Sequence, residues 1–143
     1  MTDCRQRWVL LHHQVDGLPA PSNGLGQGNH YDLMLSPPGD GQLWTWAIPI
    51  NPVHQPLPLE CKAERLPNHR RIYLDYQGPI SGNRGHVQQA ALGTFEVVIW
   101  SEQQVDVRLW LAESAEHKDS FWVSLTHQPS AWQLSWSAHL DCE

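Results

Sequence analysis

The feature that most constrains the fold is a series of short, strand-length segments separated by turn residues. β-Branched and aromatic residues fill the segments, and Gly, Pro, Asn and Asp mark the breaks between them. Such spacing is typical of β-sandwiches and β-barrels, and no long stretch keeps the apolar spacing of a helix. The predicted strands are 7–13, 29–35, 43–48, 59–66, 69–76, 87–90, 94–100, 105–112, 120–126 and 132–137, with one turn of helix at 114–116.

Length and composition agree with a small β protein. A chain of 143 residues is long enough for one core, so we expect residues 1–143 to form a single domain. Eight Trp against two Phe indicate that large rings fill the space between short strands. Residues 14–29 are rich in Gly and Pro and predict a long loop.

Charge and localisation signals restrict the function classes. A net charge of −6 argues against a uniformly basic nucleic-acid surface, although Lys62, Arg65, Arg70, Arg71 and Arg84 surround His69 in sequence. No apolar run approaches the ~20 residues that cross a bilayer, and the start lacks the apolar core of a signal peptide. The sequence therefore predicts a cytoplasmic protein with no membrane segment, whose three widely spaced cysteines are reduced.

The clearest candidate for a metal site is the His-Tyr-Asp segment at 30–32. Side chains alternate along a strand, so His30 and Asp32 share one face about 7 Å apart, close enough to reach one divalent ion. His13, at the end of the first strand, and His69 are further candidates. Three imidazoles and one carboxylate form a common ligand set for a transition ion, but spacing alone leaves open whether the four residues meet.

Five motifs, taken in order, resemble the 3′-phosphoesterase domain of bacterial DNA ligase D. The similarity covers most of the chain, from Trp8 to the last Trp-containing strand. It implies an all-β fold: a small closed or partly closed antiparallel β-barrel with long loops and little helix. The motifs are a first strand that ends in His13, His-Tyr-Asp at 30–32, Trp-Ala-Ile-Pro at 46–49, Asn68-His69 ahead of Tyr73, and Gly-Thr-Phe-Glu-Val-Val-Ile-Trp at 93–100.

The resemblance also implies a site and a reaction. It aligns His13, His30, Asp32 and His69 with the family's metal and phosphate-contacting groups, with Mn²⁺ expected before Zn²⁺, and Tyr73 with its active-site tyrosine. The implied reaction is removal of a 3′-phosphate or 3′-ribonucleotide from DNA or RNA ends in DNA repair. Whether a separate ligase or polymerase is a partner stays open.

Each of the later residues then has an expected role. The pKa of an unperturbed imidazole lies near working pH, so His69 would bind the phosphate or protonate the leaving oxygen. Tyr73 would donate a hydrogen bond to a phosphoryl oxygen. Two roles stay open for Arg71, on the predicted face of His69: it binds phosphate through two parallel hydrogen bonds, or it faces solvent.

Four positions depart from the family's pattern. Where the family has Gln, Arg, Lys and Arg, this chain has Leu11, Met34, Ile50 and Cys61, and each lost cation removes a contact that would stabilise a transferring phosphoryl group.

Two alternative functions therefore stay open. One is a catalytically weak or inactive metal-binding barrel that serves as a docking module for nucleic acid or protein. The other is a cupin-like oxygenase with Fe²⁺ on two histidines and an acid.

Overall fold

The computed structural model describes residues 5–15, 28–39, 41–80, 84–112 and 120–138. Within these ranges the chain forms a closed eight-stranded antiparallel β-barrel with one extra strand and no α-helix, which confirms the predicted fold class. No helix in these ranges has the length and hydropathy needed to cross a membrane. The strands are β1 (Gln6–Gln14), β2 (His30–Leu35), β3 (Leu43–Ile48), β4 (Leu59–His69), β5 (Gly78–Pro79), β6 (His86–Trp100), β7 (Gln104–Leu111), β8 (Ser120–His127) and β9 (Trp132–Ala138).

Strand β6 closes the barrel. Around the ring the strand order is β1-β2-β3-β4-β9-β8-β7-β6. The first part of β6 pairs with β1, and its second part pairs with β7. The extra strand, β5, pairs with the beginning of β6. The sequence predicts two strands here, 87–90 and 94–100, and the structure shows one. A β-bulge at Ala90, where Leu10 pairs with Ala91 but Leu11 pairs with Gln89, carries the ladder across the apparent break.

The barrel interior is filled by aromatic and aliphatic side chains from all eight ring strands. Trp8, Trp46 and Trp136 are fully buried there, and the rings of Trp8 and Trp136 meet edge to face with centroids 6.2 Å apart. The Trp8 indole N–H donates to the carbonyl of Trp110 at 3.0 Å. These three rings therefore fill much of the lumen, but only the Trp8 indole finds a hydrogen-bond partner there, since the indole nitrogens of Trp46 and Trp136 are buried without one among the described residues.

A second apolar layer covers the outer wall of β1, β2 and β3. Because side chains alternate along a strand, the residues next to those of the lumen point outward. The 3-10 turn at Arg71–Leu74 lies over this wall and adds Leu74 to it. Both faces of β1 are therefore buried, which explains the uninterrupted apolar run at 8–11. The buried residues of this outer layer are Val9, Leu11, Met34, Leu43, Leu74 and Val87.

The segment 69–76 differs from the prediction. The sequence predicts an extended strand that carries His69, Arg71 and Tyr73 on one face, but β4 ends at His69 and Arg71–Leu74 forms a 3-10 turn. The alternation of a strand therefore does not apply beyond His69. Most of the predicted 14–29 loop and the predicted helical turn at 114–116 lie outside the described residues.

Candidate metal centre

Three side chains converge on the outer wall, at the end of β1 and the beginning of β2. The antiparallel register places His13 opposite His30 and Leu11 opposite Asp32. His13 Nδ1 lies 3.3 Å from His30 Nε2 and 3.5 Å from Asp32 Oδ2, and His30 Nε2 lies 2.9 Å from Asp32 Oδ1. Alternation along β2 predicts the shared face of His30 and Asp32, and strand pairing adds His13.

These separations fit a small divalent ion. Ligand atoms that lie about 2.1 Å from a tetrahedral ion are about 3.4 Å from one another. The separation of the two imidazole nitrogens, 3.3 Å, and that of His13 Nδ1 from Asp32 Oδ2, 3.5 Å, agree with that spacing. His30 Nε2 lies closer to the other carboxylate oxygen, Oδ1, at 2.9 Å. The cluster of His13, His30 and Asp32 can therefore hold a metal ion. Three protein ligands leave a coordination position open, as catalytic sites do.

The outer nitrogen of each imidazole faces a backbone carbonyl. His13 Nε2 lies 2.8 Å from the carbonyl oxygen of Arg84, and His30 Nδ1 lies 2.5 Å from that of Gly28. A carbonyl oxygen can only accept, so both of these ring nitrogens carry a hydrogen. When each ring is neutral, its inward nitrogen then carries a lone pair and no hydrogen. Two lone pairs and a carboxylate face one another, an arrangement that is favourable only with a proton or a metal ion among them.

Asp32 and His30 are almost completely buried, with side-chain exposures of 3% and 1%, whereas His13 keeps 15%. Burial by itself would raise the pKa of Asp32, but the facing imidazoles of His13 and His30 outweigh it and hold that pKa below its ordinary value. No described N–H or O–H group is aligned to donate to Asp32 Oδ1. The charge of this oxygen is therefore compensated by the His30 imidazole, whose Nε2 lies 2.9 Å away.

The electrostatics of His30 follow from the same neighbours. Burial alone would lower its pKa, but the Asp32 carboxylate outweighs burial, with smaller contributions from the Gly28 carbonyl and the Glu64 carboxylate, and the pKa rises above 6.5. Below this raised pKa, a proton on His30 takes the place of a cation in the metal-free protein. A metal ion must displace that proton in order to bind.

The structure does not bring His69 into the cluster. On β3, Leu43 is the partner of His69, whereas Ala47 is the partner of Asp32. Leu43 and Ala47 are four positions apart on β3, which corresponds to about 13 Å along the strand. His69 Nδ1 instead donates to the carbonyl of Pro67 at 2.8 Å. The cluster therefore has two imidazoles and a carboxylate, and the third imidazole expected from the sequence lies elsewhere on the wall.

Tyr73 and Arg71 also lie apart from the three ligands. The ring of Tyr73 is 5.7 Å from that of His69, so these two residues remain neighbours. Arg71 Nη1 donates to Ser36 Oγ at 2.8 Å and to the carbonyl of Gly41 at 2.9 Å. These bonds tie the 3-10 turn to the connection between β2 and β3. The contacts of Arg71 thus support a structural role in place of the phosphate contact that the sequence predicts.

Besides the Gly28 carbonyl, two further contributors to the site were not predicted. One is the main chain of Arg84, just before β6, whose carbonyl lies against His13. The other is Glu64, which pairs with Ala47 on β3, itself the partner of Asp32. The alternation of β4 already places Glu64 on a polar face, but only the order β2-β3-β4 brings that face beside Asp32.

The cluster as a whole is a buried acid between two imidazoles, of which His13 is the more exposed. Two imidazoles and a carboxylate form a donor set that can bind a divalent transition ion. Among known proteins, no family model and no curated sequence matches the chain.

Proposed function

We propose that this protein is a metal-dependent phosphoesterase that acts on the 3′ ends of DNA or RNA. The observation that carries the proposal is the convergence of two imidazole lone pairs and a buried carboxylate on one point of the outer wall. The resemblance to the ligase D phosphoesterase domain supplies the substrate class. It aligns the same three residues, His13, His30 and Asp32, with metal and phosphate-contacting groups of that family.

Each residue of the cluster has its own role in the proposed reaction. A divalent ion held there would polarise a phosphoryl oxygen and lower the pKa of a bound water. Asp32 offsets part of the charge of the ion, and the two imidazoles fix its position. Burial of His30 and Asp32 excludes bulk water from their side, so the substrate approaches past the partly exposed His13. The main chain of Arg84 lies on that side as well.

His69 and Tyr73 take a different role in this proposal. A general acid must come within about 3 Å of the oxygen that it protonates, and His69 lies about 13 Å along the strand from the level of Asp32. The pair of His69 and Tyr73 is therefore assigned to a part of the nucleic acid beyond the phosphate that is cleaved. Loss of either side chain is expected to raise KM more than it lowers kcat.

The test is phosphate release from a 3′-phosphorylated primer by protein purified without chelator, together with its metal content. His30→Ala removes one ligand and is expected to abolish both Mn²⁺ binding and Mn²⁺-dependent release. His12→Ala is the matched control, because His12 stacks on Tyr31 with ring centroids 4.5 Å apart and points away from the cluster. Turnover that survives His30→Ala would remove His30 from the mechanism. Bound iron with oxygen uptake would instead favour the oxygenase.

A second function, metal-dependent docking without turnover, is favoured by the side chains next to the cluster. Leu11 and Met34 continue its face with exposures of 0% and 1%, at positions where the family has Gln and Arg. Arg65, one of the nearby cations in sequence, stacks on Trp44 at 4.3 Å and on Trp46 at 4.9 Å. A docking module would shift the mobility of the primer in Mn²⁺ without shortening it.

A further inference from the structure

The geometry of His13 depends on a carbonyl from a distant part of the chain. His13 coordinates through Nδ1 only if its hydrogen is on Nε2, and the Arg84 carbonyl, 2.8 Å from Nε2, accepts that hydrogen. The second imidazole follows the same rule with the Gly28 carbonyl. Metal-binding histidines commonly donate their other N–H to such an acceptor, which fixes the tautomer and the ring orientation.

The Arg84 carbonyl reaches His13 because of the residue that follows it. Gly85 has φ +92°, in the region that favours glycine. A Cβ at this position would overlap the carbonyl oxygen of Gln14, the residue after His13, and would crowd Val15. The carbonyl of Gly85 in turn accepts from the N–H of Ile80 at 2.8 Å. The backbone at 84–85 is thus held against the end of β1 at a separation that no side chain permits.

We infer that Gly85 is a positioning residue for the metal centre. By letting the Arg84 carbonyl lie against β1, it keeps the hydrogen of His13 on Nε2 and turns Nδ1 toward His30 and Asp32. The inference rests on the metal site of the proposed function, and it adds a requirement: the site depends on the close approach of 84–85 to β1, in addition to the three ligands. Replacement of Gly85 by alanine pushes this backbone outward and frees the imidazole of His13 to rotate.

The chain offers a control with equal crowding and no link to the site. A Cβ at Gly93 would overlap the carbonyl oxygen of Trp110 on β7. Gly93 is six residues along β6 from Val87, the strand partner of His13, or about 20 Å. Gly93→Ala therefore strains the same strand without touching His13, and it measures what strain alone does to stability and to metal binding.

The experiment compares the wild-type protein, Gly85→Ala and Gly93→Ala by Co²⁺ titration and by thermal unfolding in chelator. Gly85→Ala is expected to bind Co²⁺ about 10- to 100-fold more weakly, the range found when a partner of a metal-binding histidine is lost. Gly93→Ala is expected to lose thermal stability and to keep its Co²⁺ affinity. Equal affinities in folded Gly85→Ala and the wild type, or equal losses in both variants, would overturn the inference.

A direct reading of the hydrogen on His13 completes the test. In ¹⁵N imidazole spectra of the metal-free wild type, the neutral ring is expected to carry a slowly exchanging hydrogen on Nε2, and Gly93→Ala is expected to retain it. A neutral His13 with its hydrogen on Nδ1, or an Nε2 hydrogen that exchanges as fast as in a free imidazole, would refute the inference even if Gly85→Ala does not fold. Absence of Co²⁺ binding by the wild type would refute the metal site itself, while the spectra still decide whether the carbonyl holds His13.

Discussion

Removal of the charge of Asp32 is the sharpest test of the metal centre. Asp32→Asn keeps the shape of the side chain but removes the only negative ligand from a site in which that side chain is 3% exposed. An ion that binds only the folded protein stabilises it by about 2.7 kcal/mol when present at 100 times its Kd. For 143 residues, with an unfolding entropy of about 0.3 kcal/mol per kelvin, this stabilisation raises Tm by about 9 °C.

The variant is expected to lose nearly all of this shift. Loss of a partner of a ligand already weakens metal binding about 10- to 100-fold, so loss of a charged ligand should cost at least the upper figure. At the same ion concentration the stabilisation then falls to about 0.4 kcal/mol, or roughly 1 °C in Tm. Thermal scans with Mn²⁺ and Zn²⁺ measure both values, and Glu60→Gln, which removes an exposed carboxylate from β4, is the control. An undiminished shift in Asp32→Asn would refute the ligand assignment.

Three further results are expected. In metal-free protein the raised pKa of His30 stabilises the folded state at pH values below the ordinary His pKa of 6.5, and this contribution is lost as the pH rises through the raised pKa. The lowered pKa of Asp32 stabilises the folded state at pH values above the ordinary Asp pKa of 3.8, and this contribution is lost as the pH falls through the lowered pKa. Urea midpoints should therefore depend less on pH in Asp32→Asn. Met34→Arg introduces a cation that is buried among apolar residues, so unfolding in urea should show a loss of about 3 kcal/mol or more. Unchanged stability with a gain in phosphate release would contradict this. Arg71→Ala removes two hydrogen bonds and should lower the free energy of unfolding by about 1–3 kcal/mol. The Mn²⁺ affinity, measured by titration, should stay the same. Weaker Mn²⁺ binding by this variant would mean that Arg71 contributes to the metal centre.

The strands could be predicted because their patterns are local. Alternation along 29–35 gave both the strand and the shared face of His30 and Asp32, and the turn at 37–41 gave the antiparallel return into β3. β6 was predicted as two strands because a bulge at Ala90 breaks the alternation while the hydrogen-bonded ladder continues. Local pattern therefore gives the segments, but irregular pairing decides how they join.

The ligand set was harder because it depends on register between distant strands. His13 joins His30 since the antiparallel pairing of β1 and β2 places the two opposite each other, and His69 is excluded since its partner is Leu43. Nothing within β4 itself indicates that its histidine lies at the far end of the wall. Similarly, β4 ends at His69 and a 3-10 turn follows it. Arg71 therefore contacts Ser36, which the alternation of a strand does not predict.

The position of the ligands on the outside of a filled barrel bears on what the protein is able to process. An enzyme that works within its lumen accepts only molecules narrow enough to fit inside, whereas here aromatic and aliphatic side chains fill the lumen and the three ligands lie on the outer wall, where His13 keeps 15% of its surface exposed. Under the proposed function, the end of a long polymer would be presented from solution without threading through the barrel. Substitutions in the lumen that keep it filled should leave the three ligands in place, because lumen side chains point to the opposite face of the sheet.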